Sequence, residues 1–311
     1  MRGRNSYPKV RRDPSPDGLR PPPSPTRGEG TSEHSRATGP DVSAIIPIDD
    51  PDDPRIEAYR QVRERDLVGR RGGFIAEGEV VLRVLLSRGS RHRPTSLLIA
   101  EKRLGHLGPM IETLPPEVPV YAAGPAVMDA IVGFPIHRGI LAHGLRAPTL
   151  DAGELLAGLG PRAVVLALFG IANHDNLGGL FRNAAAFGVD AVLLDETCCD
   201  PLYRKAIRVS VGAALKVPFA RLRPGDDPLK VLTQAGFTVL ALSPRGSEPV
   251  AGLARPERAA VLLGAEGEGL PEALLRRART VAIPMAPGWD SLNVAASGAI
   301  ILHALMAEGT P

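Results

Sequence analysis

The chain has 311 residues, of which 44% are hydrophobic and 23% charged, and it carries a formal net charge of +3. These proportions are typical of a globular protein with one large or two ordinary domains. No apolar run approaches the ~20 residues that span a bilayer, and no secretory signal pattern is present, so we expect a soluble, cytoplasmic protein. Cys198 and Cys199 are adjacent, which disfavours a structural disulfide or a zinc site and predicts reduced thiols.

Residues 1–45 are predicted to form a disordered tail. Eight prolines fall among the first forty residues, where large apolar residues are sparse. The same forty residues carry eight basic and four acidic side chains. Weak binding to nucleic acid is therefore one interpretation, and an inert tail or a misassigned start of the chain are the others.

Residues 50–146 are predicted to form a small α/β domain. Its helices are predicted at "IEAYRQVRERDL", "EVVLRVLLSRG" and "PAVMDAIVG", and its strands at "GFIAEG", 96–100, 118–124 and 138–146. Ten arginines and five acidic residues lie between 55 and 93, so this segment could contact a polyanion or form an ordinary solvated surface. A linker with a short helix is predicted at 147–160.

Residues 161–311 alternate short apolar runs with helical patterns, which predicts a parallel sheet covered on both faces by helices. Strands are predicted at 163–169, 191–194, 217–222, 238–243, 260–265 and 280–285, and helices at 176–187, 202–215, 228–235, 271–278 and 292–306. Ligands of such sheets bind beyond the carboxyl ends of the strands, and three polar clusters of this sequence follow predicted strands.

The first cluster is "NHDNLGGLFR". Asn176 or Asp175 can cap the helix that follows, and Gly178 and Gly179 would let a second backbone or a ligand approach closely. Asn176 and Arg182 are six residues apart, roughly 600° of helix rotation, so one can face the strand-end crevice while the other faces a neighbour or a partner subunit. The alternative is a capped helix with a surface arginine.

The second cluster is the loop "GAEGEGLP", which contains Gly264, Glu266 and Gly269. Its G-x-x-G-x-G spacing differs from the G-x-G-x-x-G of dinucleotide-binding loops. An acidic residue inside the loop would also repel a pyrophosphate. The loop therefore suits a cationic ligand or one without phosphate.

The third cluster is "MAPGWDSLN". Ser291 is predicted to cap the last helix, and Asn293 is predicted to lie in its first turn. A strand, a turn and a capped helix would explain the pattern, and the density of Pro, Gly, Trp, Ser and Asn also indicates a shaped pocket.

Together the three clusters resemble the motifs of the SpoU (TrmH-like) branch of the SPOUT class of RNA 2′-O-ribose methyltransferases. Asn176, Gly178 and Arg182 match the N-x-G-x-x-x-R of the first motif, "LLGAEGEGL" resembles the second, and "IPMAPGWDSLNVAASG" resembles the third. "DPLYRKAIRVSVGAAL" resembles the segment between the first and second motifs. The match covers about 160–307. Residues 66–146, with "FIAEGEVVLRVLL" and "HRGILA", resemble more weakly a substrate-binding domain similar to ribosomal protein L30e.

The resemblance implies an α/β fold in which a C-terminal parallel-sheet domain with a deep trefoil knot follows a small L30e-like domain that binds the RNA substrate. It also implies a homodimer that transfers a methyl group from S-adenosylmethionine to a ribose 2′-hydroxyl of structured RNA, rRNA more than tRNA. No metal or membrane is implied. Leu180, Phe181, Ile300 and Leu305 could supply the dimer interface or lie in the monomer core. A non-catalytic RNA-binding protein on the same fold is the alternative function.

The resemblance further implies two groups of site residues. The cofactor would be held around Leu242, Gly264, Gly269, Ile283, Met285 and Leu292. The catalytic group would be Arg182, Asn176, Ser291, Asn293 and Glu266. Arg182 would either accept the hydroxyl proton or stabilise the developing negative charge and clamp a phosphate; the high pKa of arginine makes the second role physically easier.

Overall fold

A computed structural model of the chain describes residues 44–60, 72–132 and 139–307. Its first sheet is mixed and has five strands, in the order β1-β4-β3-β5-β2. The strands are β1 (Ile45–Ile48), β2 (Gly73–Glu77), β3 (Arg93–Ala100), β4 (Val120–Ala123) and β5 (Ile140–Leu145). The predicted tail lies outside the described residues except at positions 44 and 45. Strand β1, which pairs with β4, was not predicted and precedes the expected start of the domain at residue 50.

Four helices accompany the first sheet: a 3-10 helix (Pro54–Tyr59), α1 (Glu79–Leu85), α2 (Glu101–Ile111) and α3 (Pro125–Val132). Two of them, the 3-10 helix and α2, differ from the prediction. The predicted helix "IEAYRQVRERDL" overlaps only the 3-10 helix, and its residues from 61 onward lie outside the described part. Helix α2 was not predicted because two glycines and Pro109 lower its propensity. The burial of Leu107 and Ile111 in the core outweighs that penalty.

The second sheet has seven strands, all parallel, in the order β10-β12-β9-β11-β6-β7-β8. The strands are β6 (Ala163–Leu168), β7 (Ala191–Leu194), β8 (Phe219–Arg221), β9 (Thr238–Leu242), β10 (Glu248–Pro249), β11 (Arg258–Leu263) and β12 (Arg279–Ala282). The helices are α4 (Ala152–Ala157), α5 (His174–Ala186), α6 (Arg204–Val209), a 3-10 helix (Ala213–Leu215), α7 (Pro228–Gln234), α8 (Glu272–Leu275) and α9 (Val294–Ala307). All six predicted strands are confirmed, and the two-residue β10 is an addition.

Both faces of the second sheet are buried. Alternate residues of β6 serve opposite layers: Leu166 packs with Phe181 of α5 and Leu305 of α9, whereas Val165 packs with Leu156 of α4. The fully apolar strands thus follow from burial on both sides. In the described part of the chain, no helix is long and apolar enough to cross a membrane.

The segment between α5 and β8 joins the two sheets. The predicted helix 202–215 divides there, because Val211 (φ 55°) and Gly212 (φ 84°) adopt left-handed backbone conformations. Leu202 packs in the same apolar cluster as Phe74 of β2. The segment that resembles the stretch between the first and second motifs therefore forms the contact between the sheets.

Candidate active site

An open pocket of about 760 Å³ lies at the carboxyl ends of β9, β11 and β12. Its volume falls in the usual range for small-molecule sites. The residues predicted to hold the cofactor all line it, namely Leu242, Gly264, Gly269, Ile283, Met285 and Leu292. Ser291 and Glu266, two of the five predicted catalytic residues, line it as well. The structure therefore brings eight of the eleven predicted site residues to one cavity.

The loop after β11 is a tight turn that needs glycine at three positions. A Cβ on Gly264 would lie 2.2 Å from the carbonyl carbon of Gly269, a distance that backbone atoms cannot accommodate. Gly267 and Gly269 have φ values of 88° and 69°, in the left-handed region. The amide of Gly269 donates to the Ala265 carbonyl at 3.0 Å and closes the turn. The glycine spacing of the second cluster thus shapes one wall of the pocket.

Asn293, not Ser291, caps helix α9. The Asn293 side-chain oxygen accepts hydrogen bonds from the amides of Ala295 (2.9 Å) and Ala296 (3.3 Å). The predicted cap was therefore two residues too early. Ser291 is exposed, lines the pocket and places its hydroxyl 3.4 Å from a carboxylate oxygen of Asp290. Its hydroxyl is thus available to a ligand of the pocket.

Helix α5 begins one residue after its cap, Asn173, whose side chain accepts from the amide of Asp175 at 2.8 Å. The prediction that Asn176 or Asp175 is the cap was wrong, because the helix starts earlier than expected. Asn176 lies in the first turn and is only 8% exposed. It points inward, where it is available to the neighbouring helix α9.

The glycines of α5 allow two other helices to approach closely, as predicted. A Cβ on Gly178 would lie 2.8 Å from Cβ of Val209 in α6, and one on Gly179 would lie 2.9 Å from Cβ of Ala295 in α9. The neighbours are helices of this chain and not a ligand. These contacts set the distance between the first and third clusters.

The Asn293 amide joins all three clusters. Its nitrogen donates to the side-chain oxygen of Asn176 and to a carboxylate oxygen of Glu266, each at 2.8 Å. The same side chain caps α9 through its oxygen, so both halves of the amide are used. Asn183, which sequence analysis did not single out, adds a bond from its amide nitrogen to the Ala295 carbonyl at 2.7 Å. Three segments far apart in sequence are thereby fixed at one edge of the pocket.

Arg182 lies outside this pocket. It is exposed, whereas Asn176 on the same helix is buried, which confirms that the two side chains point in different directions. Among the described residues it makes no hydrogen bond or ion pair.

The three apolar residues Leu180, Phe181 and Leu305 are fully buried in the monomer core, whereas Ile300 is 37% exposed. Of the four residues considered for a dimer interface, only Ile300 is available at the surface.

The charge of the pocket is predominantly negative. Glu266, Glu268, Glu272 and Asp290 contribute carboxylates to its lining, against the single guanidinium of Arg245. Such a lining favours a cationic ligand over a phosphate-bearing one, as the acidic residue in the second cluster predicted. In the described part of the chain no group of three or more His, Cys, Asp or Glu residues could hold a metal ion.

The two adjacent cysteines are free thiols, as predicted. Burial raises the pKa of Cys198 to about 12 and that of Cys199 to about 11. Because the thiolate is the reactive form, neither residue is a nucleophile at neutral pH. Cys198 instead donates to the Leu168 carbonyl and accepts from the Ile171 amide, both at 3.3 Å, and so supports the turn after β6.

Comparisons with known proteins agree with this geometry. A model of the SpoU rRNA methylase family matches residues 163–303. An uncharacterized tRNA/rRNA methyltransferase of Mycobacterium bovis is 40% identical over 86% of this chain and 93% of its own length. The 23S rRNA (guanosine-2′-O-)-methyltransferase RlmB of Salmonella typhi is 27% identical over 74% of this chain and 96% of its own length.

The fold is also similar to that of a solved structure. An AdoMet-bound rRNA methyltransferase of Sinorhizobium meliloti has a TM-score of 0.70 at 22% identity, covering 86% of this chain and 99% of that one. The members of the SpoU rRNA methylase family are RNA methyltransferases that use S-adenosylmethionine as the methyl donor. Because the motifs and the pocket match and a relative is 40% identical over nearly its whole length, the chain belongs to this family.

Proposed function

We propose that this chain methylates a ribose 2′-hydroxyl in structured RNA, rRNA in preference to tRNA. The observation that carries the proposal is the Asn293 amide, which binds both Asn176 and Glu266 at the edge of the pocket. It unites the three clusters whose resemblance implies ribose methylation. The arginine-rich segment between residues 55 and 93 and the 23S rRNA specificity in the name of the Salmonella typhi relative favour rRNA.

The pocket residues fit S-adenosylmethionine. Leu242, Leu263 and Ile283 provide apolar wall for the adenine, and the absence of a side chain at Gly264 keeps the loop compact. The four carboxylates complement the positive charge on sulfur. When bound, the cofactor supplies an electrophilic methyl group to an oxygen that approaches in line.

The residues of this chain would orient the ribose and stabilise the charge that develops on its oxygen as the O–H bond breaks and the proton leaves to water. Asn293 holds one carboxylate oxygen of Glu266, which orders that side chain, and the Ser291 hydroxyl can bind a ribose oxygen. An arginine is a poor general base because its guanidinium stays protonated in proteins. We assign Arg182 to stabilising the developing oxyanion and binding a phosphate bidentately.

We further propose that a homodimer completes the site, with Arg182 of one protomer acting at the partner's pocket. Two observations support this: Arg182 lies away from the pocket of its own chain, and Ile300 leaves apolar surface on α9 exposed. Complementation tests the arrangement. Arg182→Ala and Asn293→Ala proteins, each inactive alone, should regain part of the activity after subunit exchange. If both residues act within one chain, the mixed dimers stay inactive.

Two finer features of the fold belong to the same proposal. We assign a deep trefoil knot to the second sheet because its motifs resemble those of the SPOUT class; the close approach of Gly246 to the backbone of Val281, in a segment distant along the chain, is compatible with that threading. We assign the first sheet to an L30e-like substrate-binding domain, separated by the linker at 147–160. Arg204 of α6 donates to buried Glu77 of β2 at 3.0 Å and would keep the two domains in register.

Transfer of a labelled methyl group tests the function. Total RNA, with both rRNA and tRNA, from cells that lack the gene is incubated with the purified protein and methyl-labelled S-adenosylmethionine, and 2′-O-methyl positions are mapped. We expect a discrete site that is missing in the deletion strain and restored in vitro, with a linkage that resists alkaline hydrolysis. Label on a base, or exclusively on tRNA, would contradict the proposal.

A further inference from the structure

Trp289 is an aromatic side chain that the monomer core does not use. It is the single tryptophan of the chain, and 76% of its surface is exposed. Large aromatic residues normally bury most of their surface, because this contributes strongly to core and interface stability. The exposure of Trp289 therefore indicates a surface that another molecule covers.

The position of Trp289 identifies which part of the protein that molecule approaches. A turn holds the residue outward: Gly288 has a φ of 87°, and the amide of Trp289 donates to the Ala286 carbonyl at 3.2 Å. The next three residues, Asp290, Ser291 and Leu292, all line the pocket. Leu292 is itself 44% exposed. An apolar, aromatic surface thus stands at the mouth of the pocket, within the segment that Asn293 anchors.

Chemistry at this site requires a nucleotide in an unusual conformation. On the proposed function, on which this inference rests, a ribose hydroxyl must come in line with the methyl donor, so the nucleotide leaves its helical stack. Unpaired bases lose stacking energy, and RNA-binding proteins replace it with aromatic side chains. We propose that Trp289 is a stacking platform for an unpaired base next to the methylated ribose, which makes it a substrate-positioning residue.

Tryptophan fluorescence, excited at a wavelength that the four tyrosines do not absorb, tests the proposal directly because Trp289 is the single tryptophan of the chain. The full-length protein is titrated with a short single-stranded RNA oligonucleotide of mixed sequence and with the same strand annealed to its complement. We expect the single strand to quench the emission and the duplex to have little effect. The readout does not depend on methyl transfer, so a failure of stacking is distinguishable from a failure of the proposed activity.

Affinity for the same oligonucleotide provides the second measurement. Stacking on an aromatic side chain changes affinity about 5- to 150-fold per base, so Trp289→Ala should weaken binding within that range. Trp289→Phe should retain most of it, because a smaller aromatic face remains. Gln234→Ala, at an exposed residue of α7 that lies at the amino end of β9, opposite the pocket, is the control and should bind like the wild type. S-adenosylmethionine affinity, measured by calorimetry, should be the same in all four proteins.

Five results would overturn the proposal. The first three are equal quenching by single strand and duplex, RNA binding without a change in emission, and unchanged affinity in Trp289→Ala. The fourth is an emission change on adding S-adenosylmethionine that RNA does not extend, which would identify a cover for the cofactor. Emission that depends on protein concentration without RNA would instead place Trp289 in a contact between copies of this chain, and that too would contradict stacking.

Discussion

The polar side chains of the two sheets have opposite arrangements. The first sheet contains a buried network: the hydroxyls of Tyr59 and Ser96 lie 2.7 Å apart, and the backbone amide of His143 donates to Tyr59 at 3.2 Å. In the second sheet the polar groups of the site collect beyond the strand ends, around an open pocket. Buried networks with all partners inside the protein specify a fold, whereas groups that border a cavity remain available to a ligand.

The ionisable groups of the first sheet show the effect of burial. Desolvation raises the pKa of Tyr59 and lowers that of His143. It also lowers the pKa of His92 to about 4, with repulsion from Arg146 and Arg91 as a further cause. Above the pH range in which carboxylates titrate, the first sheet should therefore govern how stability depends on pH, and the second should govern activity. Substitutions at five positions, with a sixth position as a control, can break or sharpen that division.

The largest effect is expected at Arg182. Arg182→Ala should lower turnover about 100- to 1000-fold, the range for loss of a group that stabilises transition-state charge. The free energy of unfolding should change by less than about 0.5 kcal/mol, because the side chain is exposed and unpaired among the described residues. Methyl transfer to rRNA and urea unfolding provide the two measurements.

Arg162→Ala is the matched control for Arg182→Ala. Arg162 is exposed and immediately precedes β6, at the edge of the sheet opposite the pocket, so its loss should leave turnover unchanged. Equal losses in both variants would mean that Arg182 supplies only general positive charge for RNA binding.

His92 should give the second largest effect, on stability alone. The unfolded chain takes up a proton near pH ~6.5, whereas folded His92 does so only near 4. Between these values the unfolded state binds more protons, so this group's contribution to the free energy of unfolding falls as the pH falls, by at most about 3 kcal/mol. Urea unfolding at several pH values measures the slope.

His92→Gln isolates that contribution. The glutamine oxygen can still accept the hydrogen bond that the Ala147 amide donates to His92 at 3.0 Å, but it does not titrate. The free energy of unfolding of the variant, relative to that of the wild type, should therefore rise from neutral pH towards pH 4. Parallel curves would show that His92 is protonated equally in both states, and turnover at neutral pH should not change.

Glycine-to-alanine substitutions should have opposite signs in the two regions. At Gly264 the new Cβ meets backbone of Gly269, and overpacking of this kind costs about 1–3 kcal/mol. Because both residues line the pocket, affinity for S-adenosylmethionine should fall in parallel. Gly105, in α2 beside the first sheet, has open space around it, so Gly105→Ala should stabilise the protein by up to about 1 kcal/mol through helix propensity. Calorimetry and urea unfolding check both signs, and destabilisation of both variants would refute the assignment.

The regions also differ in how far sequence predicts them. Apolar runs such as "AVVLAL" identified every strand of the second sheet except β10, because strands buried on both faces are continuous in hydrophobicity. Strand β1 and helix α2 were missed, since one adjoins a proline-rich stretch and the other contains glycines and Pro109. The sequence was sufficient to place the polar clusters at strand ends. It was not sufficient to predict that the Asn293 amide binds both Asn176 and Glu266. Its bond to Asn176 spans 117 residues and depends on glycine contacts between helices.

Among the variants expected to lose stability, the smallest cost is expected at Asn293, where two functions of one side chain can be separated. Asn293→Ala removes the cap of α9 and should cost about 1 kcal/mol of unfolding free energy. Asn293→Asp keeps the capping oxygen, and so most of the stability, but it replaces the nitrogen that donates to Asn176 and Glu266 with an acceptor. Both variants should lose methyl transfer, because Glu266 then lacks its donor. If Asn293→Asp is as active as wild type, the amide serves only as a helix cap. Of the two residues tested for activity, Arg182 alone would then connect the second sheet with catalysis.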